Sequence, residues 1–502
     1  MRQRLAICIW VNAVLAVLLS LYVFVWPVGT VIRGLRDPAL QGSGIPRLAF
    51  QWHRALSPKY EAWARRRVHS GVAGQLNTGD IAGTEWPLFG SVFYLWATES
   101  LQKEYEQHPA AASAAPKVYA RGAIEAAAAL VADPNHAGWV KKHWGETYLE
   151  KDNLFYRMLL ISALTSYQKL LGDDRYEGLL RSQVELLARE LDESPYGLLD
   201  DYPGQCYPID IVPAIAAIRR ADAVLGTDHA AFVARAIRGF QDTRLDAHTG
   251  LPAYAVSSKT GQGMDSARGV GLSFMLIWAA PLWPDVATQW YDKYKELFWQ
   301  EGVWLAGFRE WPKDLNVGWW VFDVDSGPVI GGYGVAASAF GIGAARVMED
   351  ADRAYKLAAQ ALAASWPLPN GRLLTPRILS GATGAPYLGE AATLFALTRH
   401  SQFPLHSSTA AHIPAIAYLG LACLLAMGIY EIVAALRKVR RRQRKDLRWY
   451  VPSLRLQLAV WAILLASAVL LWAVVHSWIA LIPFLAAITL PLHRRRRQKG
   501  QE

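Results

Sequence analysis

The chain has 502 residues, a formal net charge of +10 and three cysteines. Three cysteines, of which Cys8 and Cys423 fall in apolar segments, exclude a disulfide framework for the large central region. Much of the positive charge lies at 437–448 and 493–498, beside apolar segments, where basic residues contact lipid headgroups. This placement argues against a nucleic-acid partner.

Three long apolar segments predict about four membrane spans. The segment 5–28 is long enough to cross a hydrocarbon core of about 30 Å, and 413–436 is a second such segment. The segment 456–492 is too long for one span and predicts a transmembrane hairpin that turns near His476. A cleaved signal peptide is the alternative interpretation of 5–28.

The basic residues at 437–448 predict the orientation of the chain, because positively charged loops remain in the cytoplasm. Both termini are then cytoplasmic in a multi-pass protein of the cell (inner) membrane, and the main domain is periplasmic or extracellular. The predicted organisation is a transmembrane helix within 1–29, an extracytoplasmic domain at 30–410, a transmembrane helix at 411–436, a basic cytoplasmic loop at 437–455, a transmembrane hairpin at 456–492 and a basic cytoplasmic tail at 493–502.

The periodicity of 48–400 is helical, which predicts an all-α domain. Amphipathic segments alternate with segments that are apolar nearly all round, and helices of the second kind are buried. The apolar helices are expected to begin near six residues about 55–67 positions apart, namely Glu85, Asp152, Tyr207, Met264, Ser326 and Tyr387. Six helical hairpins of this kind predict an (α/α)6 toroid whose inner helices begin at one common mouth.

The segment 150–300 resembles the linalool dehydratase/isomerase domain family. The resemblance lies in the runs EKDNLFY at 150–156, YQKLLG at 167–172, LGTD at 225–228 and YDKYKELF at 291–298. It covers about half of the outer domain. It implies an (α/α)6 barrel that acts outside the cytoplasm on an alcohol by acid–base chemistry, without a metal or organic cofactor.

The chain departs from this family at the positions that carry its chemistry. The terpenoid enzyme uses two cysteines and a histidine, whereas Asp201 and Asp210 stand near the cysteine positions and Leu159 stands at the histidine position. The solitary Cys206 matches neither cysteine. The resemblance therefore implies the fold, and linalool chemistry does not follow from it.

Two clusters at predicted helix entrances contain the candidate catalytic residues. Asp201 and Asp210 lie in DDYPGQCYPID at 200–210, and Asp323 and Asp325 lie in WWVFDVDSGP at 319–328. Two carboxyl groups in an apolar cavity can have their pKa values pushed apart, which leaves one as an acid and the other as a base. Helix capping and turn formation are the alternative roles for these aspartates.

The other entrances supply candidate substrate-binding residues, each of which could equally be a cap or an ion-pair member. The candidates are Glu85, Trp86, Asp152, Tyr156, Tyr207, Asp265, Arg268, Trp319, Trp320, Tyr387 and Glu390. The histidines show no metal-ligand spacing, so neither a metal nor another cofactor is expected.

Two functions fit these features. The first is a cofactor-independent lyase, isomerase or glycoside hydrolase that uses paired carboxylates on an envelope glycan, another hydroxylated substrate or a hydrophobic alcohol. The second is a non-catalytic module that binds a saccharide or a membrane partner protein in an envelope complex. In both cases the lipid bilayer is itself a partner of the chain.

Overall fold

The computed structural model describes residues 2–443 apart from 42, 43, 78, 243, 316 and 401–411, so the predicted hairpin at 456–492 and the tail at 493–502 lie outside the described residues. The described chain is mostly helical, as predicted. Its α-helices are α1 (Arg2–Ser20), α2 (Trp26–Leu35), α3 (Pro38–Gln41), α4 (Arg47–Ser70), α5 (Ile81–Gln107), α6 (Pro116–Tyr119), α7 (Arg121–Ala132), α8 (Gly138–Trp144), α9 (Leu154–Leu171), α10 (Glu177–Glu193), α11 (Pro208–Leu225), α12 (Ala230–Ala236), α13 (Gly239–Asp242), α14 (Gly269–Leu282), α15 (Pro284–Phe298), α16 (Val335–Val347), α17 (Ala351–Ser365), α18 (Leu374–Gly381), α19 (Leu388–Leu397) and α20 (Ala415–Gln443).

Five short strands between α15 and α16 correct the prediction of a helix that begins at Ser326. They form antiparallel pairs in two small sheets, and they are β1 (Trp299–Glu301), β2 (Ala306–Phe308), β3 (Trp320–Asp323), β4 (Gly327–Ile330) and β5 (Tyr333–Gly334). The backbone at Gly327, Gly331 and Gly332 is left-handed, which an α-helix does not allow. The helix therefore begins only at Val335.

Six helices, α5, α9, α11, α14, α16 and α19, form a closed ring in the described chain, since each packs against the next and α19 packs against α5. Neighbouring helices run in the same direction. A side chain at Gly271, near the start of α14, would collide with Ile209 at the start of α11. Gly90 of α5 likewise lies against Leu388 at the start of α19. The ring helices are largely buried, as their apolar sequences predicted; in α14 every residue from Gly269 to Ala280 is buried, whereas Val335 and Ala339 of α16 are exposed.

Aromatic side chains fill the centre of the ring. Their ring centroids are separated by 4.2–6.4 Å in tilted and edge-on pairs, the arrangements that aromatic quadrupoles favour. These residues are Phe89, Phe93, Trp96, Phe274, Trp278, Phe340 and Phe395. The ring is therefore a packed core and not an open channel.

Charged side chains close the end of the ring at which these helices terminate. Arg399 donates from Nη2 to the carbonyl oxygen of Trp96 at 2.8 Å and from Nε to that of Phe395 at 3.1 Å. Beside it, the buried Glu99 forms ion pairs with Lys169 and Arg220. Arg399 follows the last residue of α19 by two positions, where the negative end of the helix dipole favours a cation.

Amphipathic helices surround the ring. The helices α4, α7, α10, α12, α15 and α17 alternate with the ring helices along the chain and pack on its outside. The buried positions of α10 show the expected spacing of three and four residues, since they are Leu180, Gln183, Val184, Leu187, Ala188 and Leu191.

In the described part of the chain, two helices outside this double layer are long and apolar enough to cross a membrane, and each candidate span comprises 26 residues. One is the continuous helix of α1, a π-helical turn at Leu21–Val25 and α2, and the other is α20. The two pack in opposite directions, because Ala13 clusters with Ala435 while Ser20 Oγ donates to the carbonyl oxygen of Gly428 at 2.8 Å. The beginning of α1 and the end of α20 consequently lie at the same end of the pair. The basic residues 437–443, which were assigned to a loop, are the last turns of α20.

Candidate active site at the mouth of the ring

The end at which the ring helices begin, called the mouth, contains a cluster of acidic and tyrosine side chains. The connecting segments meet there, since the amide of Leu154 donates to the carbonyl oxygen of Asp200 and the amide of Gly269 donates to that of Glu310. Helix N-terminal ends expose free N–H groups and a positive dipole end. The mouth therefore has free backbone N–H groups around it, and the aromatic side chains in the centre of the ring lie at its base.

Glu85 reaches the mouth from the first turns of α5. Asp80 caps this helix by accepting from the amide of Gly83 at 3.1 Å, which fixes where the helix starts. Burial raises the pKa of Glu85 from 4.5 to about 7, and the negative charge of Asp325 adds to this effect. A hydrogen bond with the Tyr202 hydroxyl acts in the opposite direction and is too weak to cancel burial. Glu85 is therefore poised to exchange a proton near neutral pH.

Asp210 occupies the first turn of α11, where the helix dipole favours a carboxylate. Burial nevertheless raises its pKa well above the ordinary value, and the charges of Asp325 and Glu85 raise it further. The negative charge of Asp325 thus contributes to the raised pKa of both Glu85 and Asp210. Asp210 is the group among them that burial and repulsion favour in the neutral form.

Asp201 supports the segment that leads into α11. Its side chain is buried, and its Oδ2 accepts from the amide of Tyr207 at 2.9 Å. Its Oδ1 has no hydrogen-bond partner among the described residues. Burial, together with the charge of Asp210, raises the pKa of Asp201 well above its ordinary value. Burial and the charge of Asp210 thus favour the neutral form of Asp201.

Asp325 lies in the turn between β3 and β4, which overhangs the mouth. Its Oδ2 accepts a hydrogen bond of 2.6 Å from the hydroxyl of Tyr254. The ring of Tyr254 in turn makes an edge contact with that of Tyr207 at 5.5 Å. Two tyrosine–carboxylate pairs, Tyr202 with Glu85 and Tyr254 with Asp325, therefore border Asp210.

This geometry provides both components of acid–base chemistry. A neutral carboxylic acid can protonate a leaving oxygen, and a second, ionised carboxylate can accept a proton or activate water. In the described part of the chain, no three His, Cys, Asp or Glu side chains lie close enough to hold a metal ion.

Arg268 and Asp323 form an ion-pair network that holds the hairpin in place. Arg268 donates from Nε to Glu310 at 2.9 Å, and its Nη2 lies 3.0 Å from Asp323 Oδ1. Burial alone would raise the pKa of Asp323, but hydrogen bonds from the Ser326 amide and Arg268 lower it. Asp323 also accepts from the amide of Asp325 at 2.9 Å. The structure places Asp323 in a turn and an ion-pair network, and its catalytic role stays a prediction.

Tyr156 and Asp152 were expected at the mouth and lie in the wall of the ring. Tyr156 is buried, and its hydroxyl donates to the carbonyl oxygen of Val131 at 3.3 Å. Asp152 has a left-handed backbone, and its amide donates to Glu190 at 3.1 Å. Burial, reinforced by the charge of Asp200, raises the pKa of Asp152. Both residues stabilise the start of α9.

Tyr387, Glu390 and Asp265 have no described contact with the cluster of carboxyl groups. Tyr387 packs edge-on against Trp63 on α4. Glu390 is buried and accepts from the amide of Leu373 at 3.2 Å. Asp265 is exposed and accepts from the amide of the next residue. These predicted substrate-binding residues have structural or surface positions.

The predicted tryptophans differ in exposure. Trp86 is partly buried on α5 beside Glu85, whereas Trp319 and Trp320 are 76% and 59% exposed. The ring of Trp319 lies over Gly331, where a Cβ atom would come within 3.1 Å of it. These two tryptophans therefore belong to the outer surface of the β3–β4 hairpin.

Tyr202, Tyr254 and Glu310 complete the site and were not singled out from the sequence. Tyr202 stands inside the acidic segment at 200–210, so its position was a usable signal. Tyr254 and Glu310 lie in connecting segments without helical periodicity, where no pattern indicates which side chain turns inward. Cys206, in the same region, is buried, and burial followed by the charge of Asp201 raises its pKa. It is therefore a protonated core thiol and not an activated nucleophile.

A separate cavity of about 360 Å³ lies in the outer layer, between α10, α12 and the segment that leads to Arg244. Its lining includes none of the predicted site residues. The acid–base groups of the mouth are therefore independent of it.

No protein-family model matches this chain, and no curated protein matches it either. The likeness of 150–300 to the linalool dehydratase/isomerase domain family accordingly stays a prediction from the sequence.

Proposed function

We propose that the mouth is the active site of a cofactor-independent acid–base enzyme, a lyase, isomerase or hydrolase, that acts on a hydroxylated or glycan substrate. The observation that carries this proposal is the grouping of Glu85, Asp210 and Asp325 at the mouth, where desolvation and neighbouring negative charge raise the pKa of Glu85 and that of Asp210. Acids whose pKa values are raised by desolvation and by a nearby carboxylate are characteristic of catalytic sites. They carry a free-energy cost that a purely structural role does not explain.

In the proposed mechanism, Asp210 holds the proton that is transferred to the leaving oxygen of the substrate. Asp325, which accepts the Tyr254 hydrogen bond, takes up a proton or activates a water molecule. Glu85, whose pKa is about 7, then relays the proton from Asp325 back to Asp210, which restores both groups to their starting states. Dehydration, hydration and glycoside cleavage all require such a pair of acid and base.

We further propose that the closed ring and its outer helices constitute the (α/α)6 toroid expected from the six-fold sequence rhythm. The parallel ring helices, the alternation with amphipathic helices and the aromatic core support this assignment. The proposed relationship to the linalool dehydratase/isomerase domain family rests on the sequence runs alone.

We also propose that the domain lies outside the cytoplasm and is held by a multi-pass anchor. The two long apolar helices run in opposite directions, so the basic N-terminal end of α1 and the basic C-terminal end of α20 share one side. The preference of basic residues for the cytoplasm then assigns the ring to the opposite side. The segment 456–492 would add the remaining two spans.

Solvent isotope incorporation provides a test that requires no prior choice among these reactions. The purified full-length protein is incubated in ¹⁸O-labelled or deuterated water with a panel of allylic alcohols, oligosaccharides and lipid-linked saccharides, and products are analysed by mass spectrometry. Turnover is expected in the native protein and is expected to be lost in Asp210→Asn and Asp325→Asn. Asp265→Asn removes an exposed carboxylate away from the cluster and is the matched control.

Each outcome has a distinct meaning. If Asp210→Asn and Asp325→Asn retain the native rate, the carboxylate mechanism is refuted. If no panel member reacts but saccharides bind the native protein and not Asp210→Asn, the non-catalytic saccharide-binding module is supported in its place.

A further inference from the structure

One face of the β3–β4 hairpin is apolar although it points to solvent. Side chains alternate between the two faces of a strand, so Trp320 and Phe322 share one face of β3. Both are exposed, by 59% and 68%, and Val324 in the adjoining turn is 50% exposed. Ile330, paired with Trp320 across the strands, is 41% exposed on the same face. A solvent-facing strand surface normally carries polar residues, so this face is suited to an apolar environment.

This face is exposed although the hairpin itself is firmly attached to the rest of the domain. On its opposite face, Asp323 forms the ion pair with Arg268, and Val329 is 1% exposed. In the turn, Asp325 accepts the hydrogen bond from Tyr254. The hairpin is therefore fixed at the mouth from its inner side while its outer side remains apolar.

The apolar face is continuous with the beginning of α20. The hydroxyl of Tyr333, which follows the hairpin, donates to the carbonyl oxygen of Leu305 at 3.2 Å. The neighbouring carbonyl oxygens of Val303 and Trp304 accept from the amides of the first two residues of α20, at 3.1 and 2.9 Å. Val303 and Trp304 are 73% and 62% exposed. Exposed apolar residues thus extend from the first turn of a candidate membrane span to the mouth.

We propose that this apolar surface, formed by Val303, Trp304, Trp320 and Phe322, lies in the interfacial region of the lipid bilayer and brings the mouth to the membrane surface. Tryptophan favours this region because its ring is apolar and its N–H group is polar. Continuity with α20 identifies the lipid bilayer as the occupant. Resting on the proposed function, the substrate is then an amphiphile whose apolar chain stays in the membrane while its hydroxyl or glycosidic oxygen reaches Asp210.

A fluorescent probe measures the membrane contact without any assay of activity. The full-length protein carries Cys8→Ser and Cys423→Ser, and its remaining Cys206 is fully buried. An environment-sensitive nitrobenzoxadiazole probe is attached at Phe322→Cys or, as the control, at Val118→Cys. Val118 is 67% exposed on α6, and the amide before it contacts Gln102 in the C-terminal part of α5, so it lies far from the mouth.

In vesicles of phosphatidylethanolamine and phosphatidylglycerol, the probe at position 322 is expected to show blue-shifted emission and strong quenching by nitroxide-labelled lipids. The probe at position 118 is expected to show neither. Equal emission and equal quenching at the two positions would overturn the proposal. So would a blue shift at position 322 that lipids do not quench and that disappears on dilution of the protein, because a second copy would then be the occupant.

Assays with two substrates distinguish a failure of this inference from a failure of the proposed function. The double variant Trp320→Ser, Phe322→Ser is expected to lose turnover of a membrane-embedded substrate and to keep turnover of its water-soluble, short-chain analogue. Equal losses on both substrates would overturn delivery from the membrane. If lipids quench the probe at position 322 but the Asp210→Asn variant remains active, the acid–base mechanism is refuted. The membrane contact is established all the same.

Discussion

Replacement of Glu85 by glutamine is expected to stabilise the domain at alkaline pH and to have little effect at acidic pH. The native carboxyl has a pKa of about 7, raised mainly by burial, against 4.5 in the unfolded chain. Because folding favours the protonated form, ionisation of Glu85 destabilises the native state as pH rises above 4.5. Glutamine keeps the shape of the protonated side chain and cannot ionise.

The size of this effect follows from the difference between the two pKa values. The cost of ionisation is about 1 kcal/mol at pH 5 and reaches about 3 kcal/mol at pH 8, once both states are ionised. The stabilisation by Glu85→Gln therefore grows by about 2 kcal/mol over this range. For a domain of roughly 350 residues, that growth raises the relative Tm by about 3 °C. Removal of the charge also lowers the pKa of Asp210, which acts in the same direction.

Thermal unfolding followed by tryptophan fluorescence in detergent micelles measures this difference. The quantity of interest is Tm of Glu85→Gln minus Tm of the native protein, compared at about pH 5 and about pH 8. A constant offset caused by the altered Tyr202 contact cancels in this comparison. Asp265→Asn controls for the change in net charge. A difference that does not increase with pH would show that the pKa of Glu85 is not raised in the folded protein.

Three further substitutions test the parts of the structure that position the mouth. Arg268→Gln leaves Glu310 buried without its partner and is expected to cost about 3–5 kcal/mol, which appears as a lower Tm and as lost turnover. Gly269→Ala places a Cβ atom 2.0 Å from a backbone oxygen and is expected to lower Tm by several degrees, whereas Gly138→Ala, with no atom within 4 Å, leaves it unchanged. Tyr156→Phe removes the hydroxyl that donates to Val131 and also bonds with Tyr148, and it is expected to cost about 1–2 kcal/mol without changing turnover, since this residue lies in the wall.

The helices were predictable because burial leaves a direct signature in the sequence. Segments that are apolar all round became the ring helices, and those with spacing of three and four residues became the outer helices. The prediction was wrong where the left-handed backbone of glycines, and not hydrophobic periodicity, determines the secondary structure. The segment from Ser326 is rich in small and apolar residues, and helix and strand are equally compatible with that composition. The left-handed glycines at 327, 331 and 332 direct it into a hairpin.

The site was predictable only as a region. Tyr156 and Asp210 are both the third residue of their helices, yet Tyr156 contacts α7 in the wall while Asp210 belongs to the carboxyl cluster at the mouth. Each helical residue turns the side chain by about 100°, so the direction depends on where the helix starts and how it rotates against its neighbours. Sequence spacing locates the entrance and does not determine that rotation.

The ion pairs of Arg268 separate the charged residues that hold the hairpin from the acids at the mouth that have no cationic partner among the described residues. This arginine stands beside the acidic cluster, and the structure commits it to Glu310 and Asp323, so that the hairpin is firmly held. No positive charge in the described part of the chain offsets the raised pKa of Glu85 or Asp210. A fold selected for stability alone would neutralise these acids or replace them with apolar residues, because unpaired buried charge is costly. Retention of the acids next to a cation that is held elsewhere is expected when proton transfer to a bound substrate depends on them.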